Sequence, residues 1–223
     1  VDFNSVCFRI TEVQDEYSLA LVKRGGNVGS NKATDTDADI NLSAVTPKDE
    51  AAFKIGLDMG VKDFSLSFTN SADDVAQVRK VIGRNSNLIS KIESIKGVLN
   101  LGEILPVVDH ILIDRGDLSR EVSIEKIPFI QRRIISFAKS KDTPVFVATN
   151  LLESMIKSDS PTRAEANDVA STLLMGASGL VLAAETAIGD HPVGAVEMIN
   201  LIIKQYNRWT TESSFNDIIF QDD

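Results

Sequence analysis

Lys91 and Glu93, in Ser90-Lys91-Ile92-Glu93, stand two residues apart in a short β-type run, so their side chains share one face of a strand. The plainest use of such a pair is a buried ion pair that fills the centre of a barrel. A second carboxylate, Asp117 in Asp114-Arg115-Gly116-Asp117, follows the next β-type run. Glu93 and Asp117 from neighbouring strands could instead hold a hard cation through oxygen, which is how Mg²⁺ is bound when substrate and water complete its shell. Arg115-Gly116-Asp117 could present backbone N–H groups to an anion, or form an ordinary strand-to-helix turn. Phe68, Ala148-Thr149-Asn150 and Ala184-Glu185-Thr186 end three further β-type runs.

The elements that must position these groups alternate after Thr46. Thr46-Pro47-Lys48-Asp49 and Ser71-Ala72-Asp73-Asp74 are helix starts, each with a cap residue and an acid three positions later. Strands are expected near residues 63–68, 88–93, 110–114, 144–149 and 179–184. Helices between them carry apolar residues at helical spacing, as in Ile127, Ile130, Ile134 and Phe137, or Ala166, Val169, Ala170 and Leu173. The strands lack strict polar alternation, as expected of a parallel sheet covered on both faces. Five strand-helix units suit an open doubly wound sheet, whereas a βα-barrel needs eight units and about 250 residues. In a barrel, the working residues lie at the C-terminal strand ends, where Lys91, Glu93, Asp117 and Thr149 fall.

Upstream, Val6, Phe8 and Ile10 alternate with Cys7 and Arg9, and a second run covers residues 17–22, predicting two short strands. Arg24 to Ser30 is glycine-rich but lacks the Gly-Lys-Ser/Thr ending of a phosphate loop, and reads as turns. Residues 31–45 read as a polar loop. His110 and His191 have no metal-ligand spacing and read as structural or surface residues, and Glu165 and Asp168 as acids serving a helix N-terminus. Trp209 and Phe215, in a polar tail, read as docking residues.

The 223 residues carry a net charge of −9, which argues against a nucleic-acid or membrane surface as partner. One cysteine, Cys7, excludes an intramolecular disulfide framework and fits a reducing, cytoplasmic setting. No apolar run approaches the length of a membrane span, and Val1 to Arg9 has neither a signal-peptide nor a presequence pattern, so a soluble protein is expected.

With these motifs in order and spacing, the sequence resembles the pyruvate kinase family. The resemblance rests on Ser90-Lys91-Ile92-Glu93, Arg115-Gly116-Asp117-Leu118, Ala148-Thr149 followed by Leu152-Glu153-Ser154-Met155-Ile156, Pro161-Thr162-Arg163-Ala164-Glu165, and Glu185-Thr186-Ala187 with Gly189-Asp190 and Pro192. It implies a parallel (βα)8 barrel of which about five units are present. Residues 1–45 then look like the closing part of a β-rich lid domain, residues 46–205 like the second part of the catalytic barrel, and residues 206–223 like a link toward a C-terminal domain.

The resemblance implies phosphoryl transfer between phosphoenolpyruvate and ADP in glycolysis, with Mg²⁺ (or Mn²⁺) and K⁺. Glu93 and Asp117 would ligate the divalent metal, and Lys91 would neutralise the moving phosphoryl group. Thr149 would join the network that protonates the enolate carbon. Arg115, Gly116, Asp117 and Phe68 would form the substrate side, the amides of Gly116 and Asp117 holding the substrate carboxylate. The family's potassium ligands come from the first barrel strands, which are not matched in this chain. The family is usually a homotetramer, so a homo-oligomer is implied.

The sequence also departs from the family. Asp114 stands where the family has alanine, Ala183 replaces a serine, Ser119 a glycine, Ser94-Ile95-Lys96 an Asn-His-Glu, and Phe3 an aspartate of the lid. Like charges about 5 Å apart at an effective dielectric near 20 repel by roughly 3 kcal/mol, so Asp114 is expected to weaken binding of an anionic substrate. Two readings follow: an impaired pyruvate kinase, or a catalytically inactive paralogue serving as a structural or assembly component.

Overall fold

Residues 6–30, 32, 34, 36, 37, 40 and 42–220 are described by the computed structural model, in which the chain divides into residues 1–43 and residues 44–223. Phe3 lies outside the described residues. In the first unit, the alternating segment forms an antiparallel ribbon of β1 (Cys7–Val13) and β2 (Ser18–Arg24), closed by a turn in which Gln14 N donates to Tyr17 O at 2.8 Å. β1 has irregular register between Cys7 and Phe8 and between Ile10 and Glu12. Gly25 to Gly29 has neither helix nor strand, in keeping with the reading as turns.

The second unit alternates helix and strand: α1 (Pro47–Asp58), β3 (Asp63–Leu66), α2 (Ala72–Ile82), β4 (Asn87–Ile92), α3 (Ile95–Leu99), α4 (Leu101–Ile104), β5 (His110–Asp114), α5 (Arg115–Glu121), α6 (Ile127–Lys139), β6 (Val145–Ala148), α7 (Arg163–Leu174), β7 (Gly179–Val181), α8 (Ala184–Ala187), α9 (Pro192–Arg208) and α10 (Phe215–Phe220). The helix starts behave as their sequences require. Thr46, Ser71 and Thr162 each accept from the amide three residues on, and the acid there reaches back to the cap amide.

The five strands β3 to β7 pair in parallel and in chain order, with no reversal. A doubly wound sheet would reverse its order at a switch point and carry helices on both faces. Here the helix-packed strand residues lie on one face: Phe64 and Leu66 with Leu88, and Ile92 with Ile111, Ile113, Val145 and Val147. The sheet is therefore an arc of a barrel, in an α/β architecture, and the arc is not closed.

The expected two-sided cover is met only in part: Leu112 and Ala148, on the face turned from the helices, are buried, and their neighbours on that face are more open. On the face turned from the helices, Ser65 and Asn87 are exposed and Ile89, Lys91, His110, Phe146 and Val181 are half-buried. The reason is geometric: the inside of a barrel is covered by strands from across the barrel. Consistent with that, β4 alternates between buried and more open positions along its length. Gly179 lies under the Phe146 ring, where a Cβ would come within 2.4 Å of a ring carbon. His110 packs on the same ring, with centroids 5.6 Å apart. Trp209 is 42% exposed and lines a cavity of about 320 Å³ with α7, α9 and α10, while Phe215 is 83% exposed.

Two expectations follow. The 223-residue chain expressed alone should self-associate through the free edges of β3 and β7; a sharp two-state melt of a monodisperse monomer by ultracentrifugation and calorimetry would contradict this. Glu165 accepts from Ser154 N (2.7 Å), Ser154 Oγ (2.5 Å), Thr162 N (2.7 Å) and Thr162 Oγ1 (2.8 Å). Burial opposes its ionisation, but these bonds outweigh burial and hold the carboxyl below its ordinary range. Its stabilisation is therefore present above the ordinary carboxylate range and lost as pH falls through the depressed value. Glu165→Gln should cost about 1 kcal/mol at pH 7 by urea denaturation, and less at pH 3.

Candidate functional site

Parallel register brings the charged groups together. Ile92 of β4 is paired with Ile113 of β5, so the next residues, Glu93 and Asp114, end adjacent strands on the same face. Asp114 is in turn paired with Ala148, which puts Thr149 beside it at the end of β6. Ile92, Ile113 and Val147 point the other way into the helix-packed core and anchor the strand ends.

Lys91 Nζ lies 2.6 Å from Glu93 Oε1 and 3.5 Å from Asp114 Oδ2. Burial alone would lower the Lys91 ammonium, but the two carboxylates outweigh it and raise its pKa. Glu93 is 1% exposed, and burial pushes its carboxyl above the ordinary range against the Lys91 ammonium and the Phe68 amide. Its Oε2 accepts from Phe68 N at 2.5 Å; its Oε1 makes no well-aligned hydrogen bond and meets only the ammonium. Oxygens of Glu93, Asp114 and Asp117 all lie within 4.8 Å of one another. Three acidic oxygens gathered this closely, with only the Lys91 ammonium against the buried Glu93 Oε1, form a donor set that suits a hard divalent cation such as Mg²⁺ or Mn²⁺. Asp117 is also met by Arg120, NH1 to Oδ1 at 3.0 Å.

The amides in the first turn of α5 already face acceptors, one of them from beyond β6. Gly116 N donates to Thr149 Oγ1 at 2.8 Å, and Asp117 N lies 3.4 Å from Asp114 Oδ1. Ser119 Oγ donates to Gly116 O at 2.7 Å. Thr149 Oγ1 is within 3.2 Å of Asp114 Oδ1 and 2.6 Å of Ala148 O. The backbone is strained where these groups meet: Phe68, Thr149 and Asn150 have φ of 50°, 71° and 53°. For a β-branched residue such as Thr149 this costs on the order of 1–3 kcal/mol and persists only where the surroundings enforce it.

Of the predicted residues, Lys91, Glu93, Asp117, Gly116 and Thr149 converge, with Phe68 joining through its amide while its ring is 44% exposed. The Arg115 guanidinium turns instead to Thr149 O and Asp168. Asp168, read as serving a helix N-terminus, sits in the second turn of α7 and pairs with Arg115 at 2.6 Å. Glu185 is buried and accepts from Leu152 N and Ala183 N, so its carboxylate holds two loops. The Asp168 contact had no signal in spacing, because its partner is 53 residues away.

Residues 1–196 match the family described as pyruvate kinase, barrel domain. The chain belongs to the pyruvate kinase family. The pyruvate kinase of Thermotoga maritima is 37% identical over 204 residues, which cover 90% of this chain and 44% of that protein. That of Dictyostelium discoideum is 40% identical over 206 residues, covering 90% and 41%. One from Agrobacterium vitis is 37% identical, covering 92% and 43%. The chain thus spans less than half the length of these pyruvate kinases. Among the described residues no helix is long and apolar enough to cross a membrane.

The acidic cluster generates a prediction for the full-length parent. Glu93→Gln should weaken Mn²⁺ binding at least about tenfold, since even changes to groups behind metal ligands cost 10–100-fold. Water-proton relaxation titrations measure this directly. Equal affinity in both forms would make the acids purely structural.

Proposed function

We propose that the chain is the second part of a pyruvate kinase barrel, and that the complete protein transfers a phosphoryl group between phosphoenolpyruvate and ADP with reduced efficiency. In this reading residues 1–45 belong to a lid domain, residues 46–205 to the barrel and residues 206–223 to a link. The carrying observation is the Lys91 ammonium set between Glu93 and Asp114 at the ends of two paired strands, in a chain of this family. A homo-oligomer in the cytoplasm, with K⁺ bound by residues outside this chain, completes the proposal.

Phosphoryl transfer is catalysed by positioning and electrostatics. Glu93 and Asp117 would hold Mg²⁺ or Mn²⁺, which supplies positive charge to the phosphoryl oxygens and the developing enolate. Lys91 supplies a second positive charge on the same face. The Thr149 hydroxyl, already hydrogen-bonded to its neighbours, serves the proton transfer that converts enolate to pyruvate. The amides of Gly116 and Asp117, with Phe68 nearby, form the substrate side, while the Arg115 guanidinium turns from it to Thr149 O and Asp168.

Asp114 works against this assembly. Its carboxylate shares Lys91 with Glu93, and its Oδ1 faces the Asp117 amide and the Thr149 hydroxyl. An anionic substrate must compete with that carboxylate for the same donors and face its charge. Ala183 further replaces a hydroxyl expected in the proton network. Asp114→Asn keeps the shape and the acceptor for the Asp117 amide while removing the charge. Combined with Ala183→Ser in the full-length parent, it should raise kcat/KM for phosphoenolpyruvate at least about tenfold, since half of a roughly 3 kcal/mol repulsion amounts to that factor. Steady-state pyruvate formation with saturating Mg²⁺ and K⁺ measures it. Ordinary turnover by the unmodified parent would remove the impairment. Absence of turnover in both forms, with Mn²⁺ still bound, would favour the inactive paralogue, the reading to which Asp114 also points.

A further inference from the structure

We propose that Arg115, braced by Asp168, is a positioning residue that acts through Thr149. The Arg115 guanidinium donates twice to the Thr149 carbonyl, from Nε at 3.1 Å and from NH2 at 2.5 Å, while NH1 pairs with Asp168 Oδ2 at 2.6 Å. The side chain is 12% exposed, so these bonds form largely out of water. Three elements are tied by one fork: the start of α5, the end of β6 and the second turn of α7. Only a planar guanidinium presents donors in this fixed geometry; a lysine ammonium in its place is a point charge without the fork.

The object held is a residue that resists being held. Thr149 is β-branched and sits at φ 71°, followed by Asn150 at φ 53°. With the carbonyl of Thr149 fixed by Arg115, its hydroxyl is directed to Gly116 N at 2.8 Å and toward Asp114 at 3.2 Å. Arg115 thus links to its own neighbour Gly116 by a closed path: guanidinium to Thr149 carbonyl, Thr149 hydroxyl to Gly116 amide. Opening the path at Arg115 lets Thr149 relax toward ordinary backbone, which carries its hydroxyl away from Gly116. The consequence for turnover rests on the proposed phosphoryl transfer, in which that hydroxyl serves proton transfer; the consequence for the backbone does not.

The test uses the full-length parent with Arg115→Lys and, separately, Asp168→Asn. Hydrogen exchange read at the Gly116 amide, normalised to β4 amides, should accelerate about tenfold in Arg115→Lys, as expected when the hydrogen bonds enforcing a conformation are lost. Asp168→Asn leaves the bonds to Thr149 in place but removes the brace, and should give a smaller rise at the same amide; it decides the matter if Arg115→Lys does not fold. In parallel, kcat should fall while KM for phosphoenolpyruvate and Mn²⁺ affinity stay within about twofold, the mark of a group acting on a step after binding. Gly116 exchange unchanged within about twofold overturns the proposal. So does a rise shared by β4 with parallel losses in KM and Mn²⁺ affinity, which would make Arg115 a general fold contact. A parent that does not turn over phosphoenolpyruvate defeats the functional reading alone, and Gly116 exchange still decides the clamp.

Discussion

One ammonium sits where two strand-end carboxylates meet. Glu93 and Asp114 end paired strands on the same face, and Glu93 is almost wholly removed from water. Without Lys91 the strand ends would carry like charges side by side in a partly desolvated setting, an arrangement that costs several kcal/mol when a partner is removed. Lys91, with Arg120 against Asp117, therefore explains why three acids can crowd within 4.8 Å at the edge of an apolar core. It also sets the chemistry: the same charges that require Lys91 would accept a hard cation, and an anion entering there must displace a contact that already exists.

Around this centre the backbone is bent rather than relaxed. Phe68, Thr149 and Asn150 adopt left-handed conformations at the ends of β3 and β6 or just beyond them, and each has an identifiable restraint. Glu93 holds the Phe68 amide, Arg115 holds the Thr149 carbonyl, and Glu153 holds the Asn150 side chain at 2.5 Å. The anchors of these restraints lie in elements whose apolar faces are buried, such as Val169 and Leu173 of α7 and Leu118 of α5. Packing energy on the helix side of the sheet is thus converted into fixed geometry on the other side, the usual way strain persists at a working surface.

Asp114 and Ser119 show how polar side chains at such a surface are satisfied locally. Asp114 caps α5 and takes hydrogen bonds at its carboxylate, and Ser119 returns its hydroxyl to Gly116 O. Both are locally satisfied, so neither need destabilise the fold.

The sequence by itself determined the elements and the motif. Helix starts at Thr46 and Ser71, Glu165 serving the N-terminus of α7, helical spacing in α6 and α7, and the five strand positions are local signals, written within a few residues of the structures they specify. The shared face of Lys91 and Glu93 follows from strand alternation alone. Tertiary structure decided what alternation cannot express. Sequential strand order with one helix-covered face distinguishes a barrel arc from a doubly wound sheet. Register sets Asp114 beside Glu93, and folding brings Arg115 across to Thr149 and Asp168. Asp168 looked like a residue serving its own helix because its partner lies 53 positions away, and no local pattern records a contact made only when β6, α5 and α7 assemble.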